Sequence, residues 1–321
     1  MPSTPPAISA APKYDRADGL TLLTTYFNSH GYRTKRQNYD HFRERIEVSG
    51  LNLVTIECAF GDAAFELPPS PNVWQVRARD LMWQKERLLN AAVARLPREC
   101  RKVAWLDGDI LFERPDWAAE AVRLLDEFPV VQLFDRAVRL PRDHASYTGE
   151  GDIWESFAAV YRKRPHQLLK GDFAAHGHTG FAWAARREWL DAHGLYDACI
   201  AGSGDHMMAH ALCGDWTSPC VQRIIGSNNR HREFFAAWAK RQYRDVRAKL
   251  GCVPGTVLHL WHGETADRRY VLRNQELAAF GFDPAADVRI GPAGCWEWSS
   301  RKPALHRWAS DYFGHRREDG L

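Results

Sequence analysis

The sequence predicts an α/β fold with a mostly parallel central sheet. Between residues 20 and 134, runs of strand length alternate with stretches of helical periodicity, the order that βαβ units produce. The strand-like runs are apolar nearly throughout, as strands covered on both faces are. The chain of 321 residues is 45% hydrophobic, enough for one large domain or two small ones with ample core. No internal repeat is visible.

Taken in order, residues 1–18 read as a flexible tail of Pro, Ala and Ser that cannot build a core. Leu20 to Phe27 is a β-rich run that stops at the turn signal Asn28-Ser29-His30-Gly31. Tyr39 to Val48 has helical spacing, and Leu51 to Cys58 is a second strand. Asp80 to Leu96 is a helix, with Leu81, Leu88, Leu89, Ala92 and Leu96 recurring near the helical period and Pro97 ending it. Val103 to Leu106 is a third strand. Asp116 caps the next helix, whose apolar face includes Ala119, Val122, Leu124 and Leu125. Val130 to Phe134 is a fourth strand. Residues 139–178 read as irregular, and a connection that long is functional or mobile. A strand at Phe181–Ala185, a helix from Arg186, a helix after Asp205, a long basic helix over Glu233–Leu250, a short strand at Val257–Trp261 and a helix over Asp267–Phe280 follow. The domain reading is a tail (1–18), a catalytic unit (19–285, halves meeting near 135/136) and a helical C-terminal extension (286–321).

Composition limits the function. A net charge of +3 does not by itself imply a nucleic-acid partner. Seven cysteines, odd in number and without C-x-x-C spacing, argue against a disulfide framework or zinc knuckle and for a reducing compartment. The N-terminus lacks the apolar run of a signal peptide, and no stretch approaches the ~20 apolar residues of a membrane span. The expectation is a soluble, cytoplasmic protein, with peripheral membrane contact left open.

The most informative segment is Trp105-Leu106-Asp107-Gly108-Asp109-Ile110-Leu111-Phe112. An apolar strand runs directly into two carboxylates separated by glycine, and ligands in open α/β sheets bind beyond the carboxyl ends of strands. Two carboxylates one residue apart can both reach a hard divalent ion, with Gly108 letting the backbone bend. The ion's remaining ligands would be substrate phosphates, and it would neutralise a diphosphate leaving group. Alone, the triplet is also what an exposed turn looks like. Its place after a buried strand favours the metal.

With Trp83-Gln84-Lys85-Glu86-Arg87-Leu88-Leu89-Asn90 before that strand, the chain resembles the GT-A class of nucleotide-sugar glycosyltransferases. The resemblance implies a Rossmann-like sheet, Mn²⁺ or Mg²⁺ on Asp109, and Asp107 on the ribose, the metal or both. His178-Thr179-Gly180-Phe181-Ala182-Trp183, then Leu195-Tyr196-Asp197, then Gly202-Ser203-Gly204-Asp205 is similar to the galactosyltransferase-type C-terminal segment. Small residues such as Gly180 and Gly204 would let the backbone approach a sugar, with Trp183 alongside. By resemblance to inverting members, Asp205 would be the general base, although this block carries one acid where the family pattern often has more. A helix N-cap is the plain alternative for it. His259-Leu260-Trp261-His262 would complete the metal site, since imidazole ligates Mn²⁺-like ions. The resemblance favours His262 over His259.

Thr25 and Tyr26 close the first strand, where this fold holds a nucleotide; Tyr26 could stack on a uracil-sized ring, making a UDP-sugar the favoured donor. Arg77 and Lys85 would pair with the diphosphate, with Asn90 nearby. Trp183, Trp261 and Trp296 are candidates for a sugar platform. Arg269, Tyr270 and Arg273 could receive the departing pyrophosphate. Residues 223–249 form a basic amphipathic stretch: a solvated helix face by default, or a surface for an anionic acceptor, membrane or nucleic acid. The leading function is therefore an inverting, metal-dependent glycosyltransferase acting on a surface or lipid-linked glycan or another hydroxyl acceptor. A retaining transferase and a phage-type transferase acting on modified pyrimidines remain alternatives. A nucleotidyltransferase would want a Gly-rich phosphate loop, and residues 24–33 offer only Gly31.

Overall fold

The computed structural model describes residues 19–168 and 175–320, so the expected tail lies outside the described residues. The first half runs β1 (Leu20–Tyr26), α1 (Arg33–Val48), β2 (Leu53–Phe60), β3 (Val73–Ala78), α2 (Lys85–Arg95), β4 (Lys102–Leu106), β5 (Ile110–Phe112), α3 (Trp117–Glu127) and β6 (Val130–Gln132). Then come β7 (Arg136–Arg139), β8 (Asp152–Glu155), α4 (Phe157–Lys163), α5 (Pro165–Leu168), β9 (Ala182–Arg186), α6 (Arg187–His193), α7 (Gly204–Leu212), α8 (Pro219–Ile225) and α9 (Asn229–Val246). The chain closes with β10 (Leu250–Cys252), β11 (Thr256–His259), a 3₁₀ turn at Thr265–Arg268, α10 (Leu272–Ala279), α11 (Pro284–Asp287), β12 (Val288–Ile290), β13 (Trp296–Trp298) and α12 (Pro303–Gly314).

Seven strands form the main sheet in the order β10-β6-β9-β4-β1-β2-β3. The pairs β1–β2, β1–β4, β2–β3 and β6–β10 are parallel, while β9 lies antiparallel between β4 and β6. The fold is thus mixed α/β and Rossmann-like with a largely parallel sheet. Strand alternation sends successive side chains to opposite faces. Leu23, Val103, Trp105 and Trp183 enter one core with residues of α2, α4 and α6 to α9. Leu22, Ala104, Leu106 and Ala184 enter the other with residues of α1 and α3. Each fully buried Leu contributes roughly 1.5–3 kcal/mol, and both faces of the sheet are covered, which is why its strands read as continuous apolar runs.

A second sheet, β5-β11-β7-β8, leans on the carboxyl end of the first. Strand β8, with α4 and α5, falls in the stretch read as irregular, and β7 ends at the first residue of that stretch, Arg139. That reading fails where short strands are paired by distant partners rather than by local pattern; its remainder at 169–174 lies outside the described residues. The half-buried edge strand β3 is a further element without an expectation from the sequence. The helix expected over Asp267–Phe280 is split, because Arg269 takes a left-handed conformation at φ 49° between the 3₁₀ turn and α10. Asp116 stands at the start of α3 without capping it; its carboxylate instead receives Arg114 Nε at 2.6 Å and Nη2 at 2.9 Å. The boundary expected at 285/286 falls inside α11. No helix among the described residues is long and apolar enough to cross a membrane.

Candidate active site

The acidic turn joins the two sheets. β4 ends at Leu106, the chain turns through Asp107-Gly108-Asp109, and β5 begins at Ile110, paired antiparallel to β11 with Ile110 opposite His259. The Leu260 N–H donates to the Asp109 carbonyl at 2.8 Å. That backbone bond and the strand register bring the segment 259–262 against Asp109. Asp109, His259 and His262 each offer a ligand atom within 4.8 Å of the others. Asp109 Oδ2 lies 3.5 Å from His262 Nε2 and 3.8 Å from His259 Nε2. The two imidazole Nε2 atoms are 2.8 Å apart.

A divalent cation fits this group. Asp109 Oδ1 and His259 Nδ1 are buried without a hydrogen-bond partner, which a dry site tolerates poorly. Burial pushes the Asp109 carboxyl up, although Lys35 opposes it, and burial with nearby Arg139 holds His259 well below the usual imidazole range, so the ring is a neutral ligand. Carboxylate plus imidazole suits Mn²⁺ and accommodates Mg²⁺ less well.

Asp107 takes a different part. Lys85, the first residue of α2, reaches Asp107 Oδ1 at 2.5 Å and Asp205 Oδ2 at 2.8 Å. The Phe181 N–H donates to Asp107 Oδ2 at 3.3 Å, and the Asp107 N–H to the Phe181 carbonyl at 2.8 Å. Of the four expected ligands, the structure brings Asp109, His259 and His262 together and gives Asp107 to Lys85. Burial raises the carboxyls of Asp107 and Asp205, with Lys85 opposing in both. Burial works against the Lys85 charge, yet Asp107, Asp205 and Glu86 hold it well above its usual value. Glu86 is pushed up to about 8 by burial and by Asp205.

These groups line a cavity of about 510 Å³. Thr25, Tyr26, Lys85, Asp107, Asp109, Gly180, Asp205, His259 and His262 all border it. Tyr26 is only 2% exposed, with its ring against Tyr39 and its phenol on Glu66, so it offers no open face for stacking. Gly204 stands just behind the wall, where a Cβ would come 2.5 Å from the Glu86 carboxylate. Gly108 is not in a left-handed conformation and a Cβ there would meet nothing nearer than 3.4 Å, so the turn does not depend on glycine.

Several expected residues serve elsewhere. Arg77 donates to the Gly61 and Ala63 carbonyls on an exposed edge. Asn90 holds the Leu195 backbone and Asp197. Trp183 is fully buried and donates to the Thr179 carbonyl. Trp296 donates to the Asp197 carbonyl, and Trp261 packs beneath Arg142. Arg269 pairs with Glu276, facing away from the cavity, whereas Tyr270 and Arg273 line it. The aromatic side chains on its walls include Phe27, Trp83, Trp154, Phe181 and Tyr270.

Other lining groups carry no motif. Lys35 from α1, Arg139 from β7, Arg268, Arg316 and Glu318 bring charge from across the chain. Glu318 receives Arg268 Nη1 at 2.9 Å and Arg316 Nε at 2.7 Å, and Arg268 also touches the His262 ring and carbonyl. His178 stacks on Phe181 at 3.7 Å; its Nδ1 accepts from the Gly180 N–H at 3.2 Å, placing its proton on Nε2. Burial, with Arg139 and His176, holds it down at about 3. Phe181 and Ser203 both have positive φ, 76° and 79°, and such strain concentrates at functional sites.

No protein-family model matches the chain, and no curated protein does. Among solved structures it is similar to a mutant Drosophila β1,4-galactosyltransferase 7 in complex with manganese, UDP-Gal and xylobiose, at 11% identity and TM-score 0.41 over 90% of this chain and 98% of that one. Mannosyl-3-phosphoglycerate synthase from Rubrobacter xylanophilus is similar at 10% identity and TM-score 0.41, covering 90% and 88% of the two chains. A glycosyltransferase involved in glycosylation of the major capsid of PBCV-1 gives 11% identity and TM-score 0.30 over 81% and 98%. Identities this low with TM-scores no higher than 0.41 leave the reaction to be read from the residues of the cavity.

Proposed function

We propose that the chain is a metal-dependent, inverting glycosyltransferase of GT-A type that moves a sugar from a nucleoside-diphosphate sugar, with UDP favoured, to a carbohydrate hydroxyl. The observation that carries this reading is the convergence of Asp109, His259 and His262 beside the Lys85–Asp107–Asp205 chain in one cavity. Bound by those three residues, Mn²⁺ or Mg²⁺ would supply Lewis-acid charge to a departing diphosphate. Lys35, Arg139, Arg268 and Arg316 supply positive charge for phosphate oxygens, of which the single Glu318 carboxylate, shared by Lys35, Arg268 and Arg316, offsets one. Asp205 accepts the proton of the acceptor hydroxyl; its raised carboxyl lies nearer working pH, which suits a general base. Lys85 fixes the orientation of Asp205 and ties it to Asp107 on the donor side. His178 is not the base, because its one lone pair is already engaged by Gly180; its Nε2–H is a donor for a sugar oxygen. Trp83, Trp154 and Tyr270 offer faces for sugar rings. The basic helix α9 buries Phe235 and Trp238 and contributes no residue to the cavity, so it lends no support to a nucleic-acid acceptor.

The test is release of nucleoside diphosphate from UDP-, GDP- and TDP-sugars, with Mn²⁺ or chelator, and with glycan or hydroxymethylated DNA acceptors. Metal-dependent release with a glycan acceptor and an inverted anomer by NMR is expected. Release that persists in chelator, or transfer to DNA alone, overturns the reading.

A further inference from the structure

A second cluster of metal-ligating side chains lies outside the groups used above. His176, His206, His210 and Cys220 are all buried, and their ligand atoms lie within 4.8 Å of one another. They come from three places: the segment leading into β9, one face of α7 at i and i+4, and the first turn of α8. The three imidazole centroids are separated by 4.5, 4.9 and 5.0 Å. We propose that these residues form a closed, four-coordinate zinc site that is distinct from the Asp109–His259–His262 centre.

The donor set and its surroundings support a soft or borderline cation. Three imidazoles and one thiolate match tetrahedral Zn²⁺ and do not suit Mg²⁺ or Ca²⁺. His210 Nδ1 donates to Asp215 Oδ2 at 2.7 Å, and its Nε2 is buried with no hydrogen-bond partner. His176 Nδ1 donates to the Gly177 carbonyl at 2.7 Å, which assigns its lone pair to Nε2. Such outer partners fix the tautomer that ligates. Asp215 is itself held by the N–H groups of Thr217 at 3.1 Å and Ser218 at 2.9 Å. Cys220 stands in the first turn of α8, directly after Pro219. A divalent cation, one thiolate and the Asp215 carboxylate sum to zero charge, which a buried site requires. Phe157 closes the cluster at 5.4 Å from His210 and 5.7 Å from His176.

The position gives the ion a task. His206 directly follows Asp205, and His176 lies two residues before His178. Zinc here would fasten α7 to the 175–180 segment and to α8, bracing the wall that carries Asp205, His178 and Gly180.

The experiment is metal analysis of the full chain purified without added metal, in four forms: wild type, the double variant Asp109→Asn/His262→Ala, Cys220→Ser and Asp215→Asn. Expected are one zinc per chain in the first two, loss in Cys220→Ser, and zinc binding about 10- to 100-fold weaker in Asp215→Asn. Because Cys220→Ser can fail to fold, wild-type protein is also exchanged with Co²⁺; tetrahedral d–d bands with a thiolate charge-transfer band are expected. Wild type that carries no zinc and gives no thiolate–cobalt band overturns the proposal, as does zinc that is lost in the Asp109/His262 variant but kept in Cys220→Ser.

Discussion

Lys85 is the residue on which the catalytic geometry turns. A single ammonium sits within 2.8 Å of both the Asp107 and Asp205 carboxylates, so Asp205, the proposed general base, is held by a charge pair rather than left free in the cavity. Replacing Asp205 with Asn keeps the shape and removes the proton acceptor. Turnover is expected to fall by about 10² to 10⁴ with donor affinity little changed, read from kcat and from binding of the nucleoside diphosphate; an unchanged kcat would assign the base elsewhere. Two glycines give a sharper contrast. Gly108→Ala meets only ordinary contacts and is expected to leave stability and activity near wild type, whereas Gly204→Ala drives a methyl into the Glu86 carboxylate and is expected to cost about 1–3 kcal/mol by urea denaturation. The reverse order would contradict the placement of α7 against α2.

At the scale of elements, the C-terminal segment after α12 completes the site. Glu318 is 3% exposed and lies between Arg268 and Arg316, with Lys35 beyond. Burial pushes its carboxyl up, but the three cations outweigh that and hold it far below the usual range. Glu318→Ala leaves those cations buried and unpaired, and a loss of about 3–5 kcal/mol is expected by denaturation, together with lost activity. A neutral effect would show that the segment is peripheral. This contribution was not legible in the sequence, because Lys35, Arg268, Arg316 and Glu318 carry no motif and meet only through long-range packing. What was legible had strong local pattern: β1, β2, β4 and their helices, and the acidic turn followed at a distance by H-x-x-H. The His206–His210 pair on α7 was a local signal too, but Cys220 and His176 join it from elements that no spacing rule connects. Arg268 borders the cavity and its expected neighbour Arg269 does not, because the 3₁₀ turn ends at a left-handed Arg269, a backbone feature that no local pattern signals.

For the whole molecule, the buried acids set a pH dependence. Glu86 moves from its ordinary 4.5 to about 8 on folding. Between those values the folded chain keeps a proton that the unfolded chain has released. The unfolded state therefore binds fewer protons, and stability falls as pH rises through that window, by up to ~1.4 kcal/mol per pH unit. The raised carboxyls of Asp107, Asp109 and Asp205 act in the same direction. Metal-free Glu86→Gln is expected to flatten this slope between pH 5 and 8 in urea titrations, and an undiminished slope would remove Glu86 from the account.

In the proposed reaction a cation would be held between the two sheets, where β4 hands the chain to β5 and the end of β11 brings His259 and then His262 to Asp109. Electron paramagnetic resonance of free Mn²⁺, titrated with the protein in the presence and absence of UDP, reads that cation directly. One bound Mn²⁺ per chain, tighter with UDP and lost in both Asp109→Asn and His262→Ala, is the predicted result. Mn²⁺ binding left intact in both variants would contradict it.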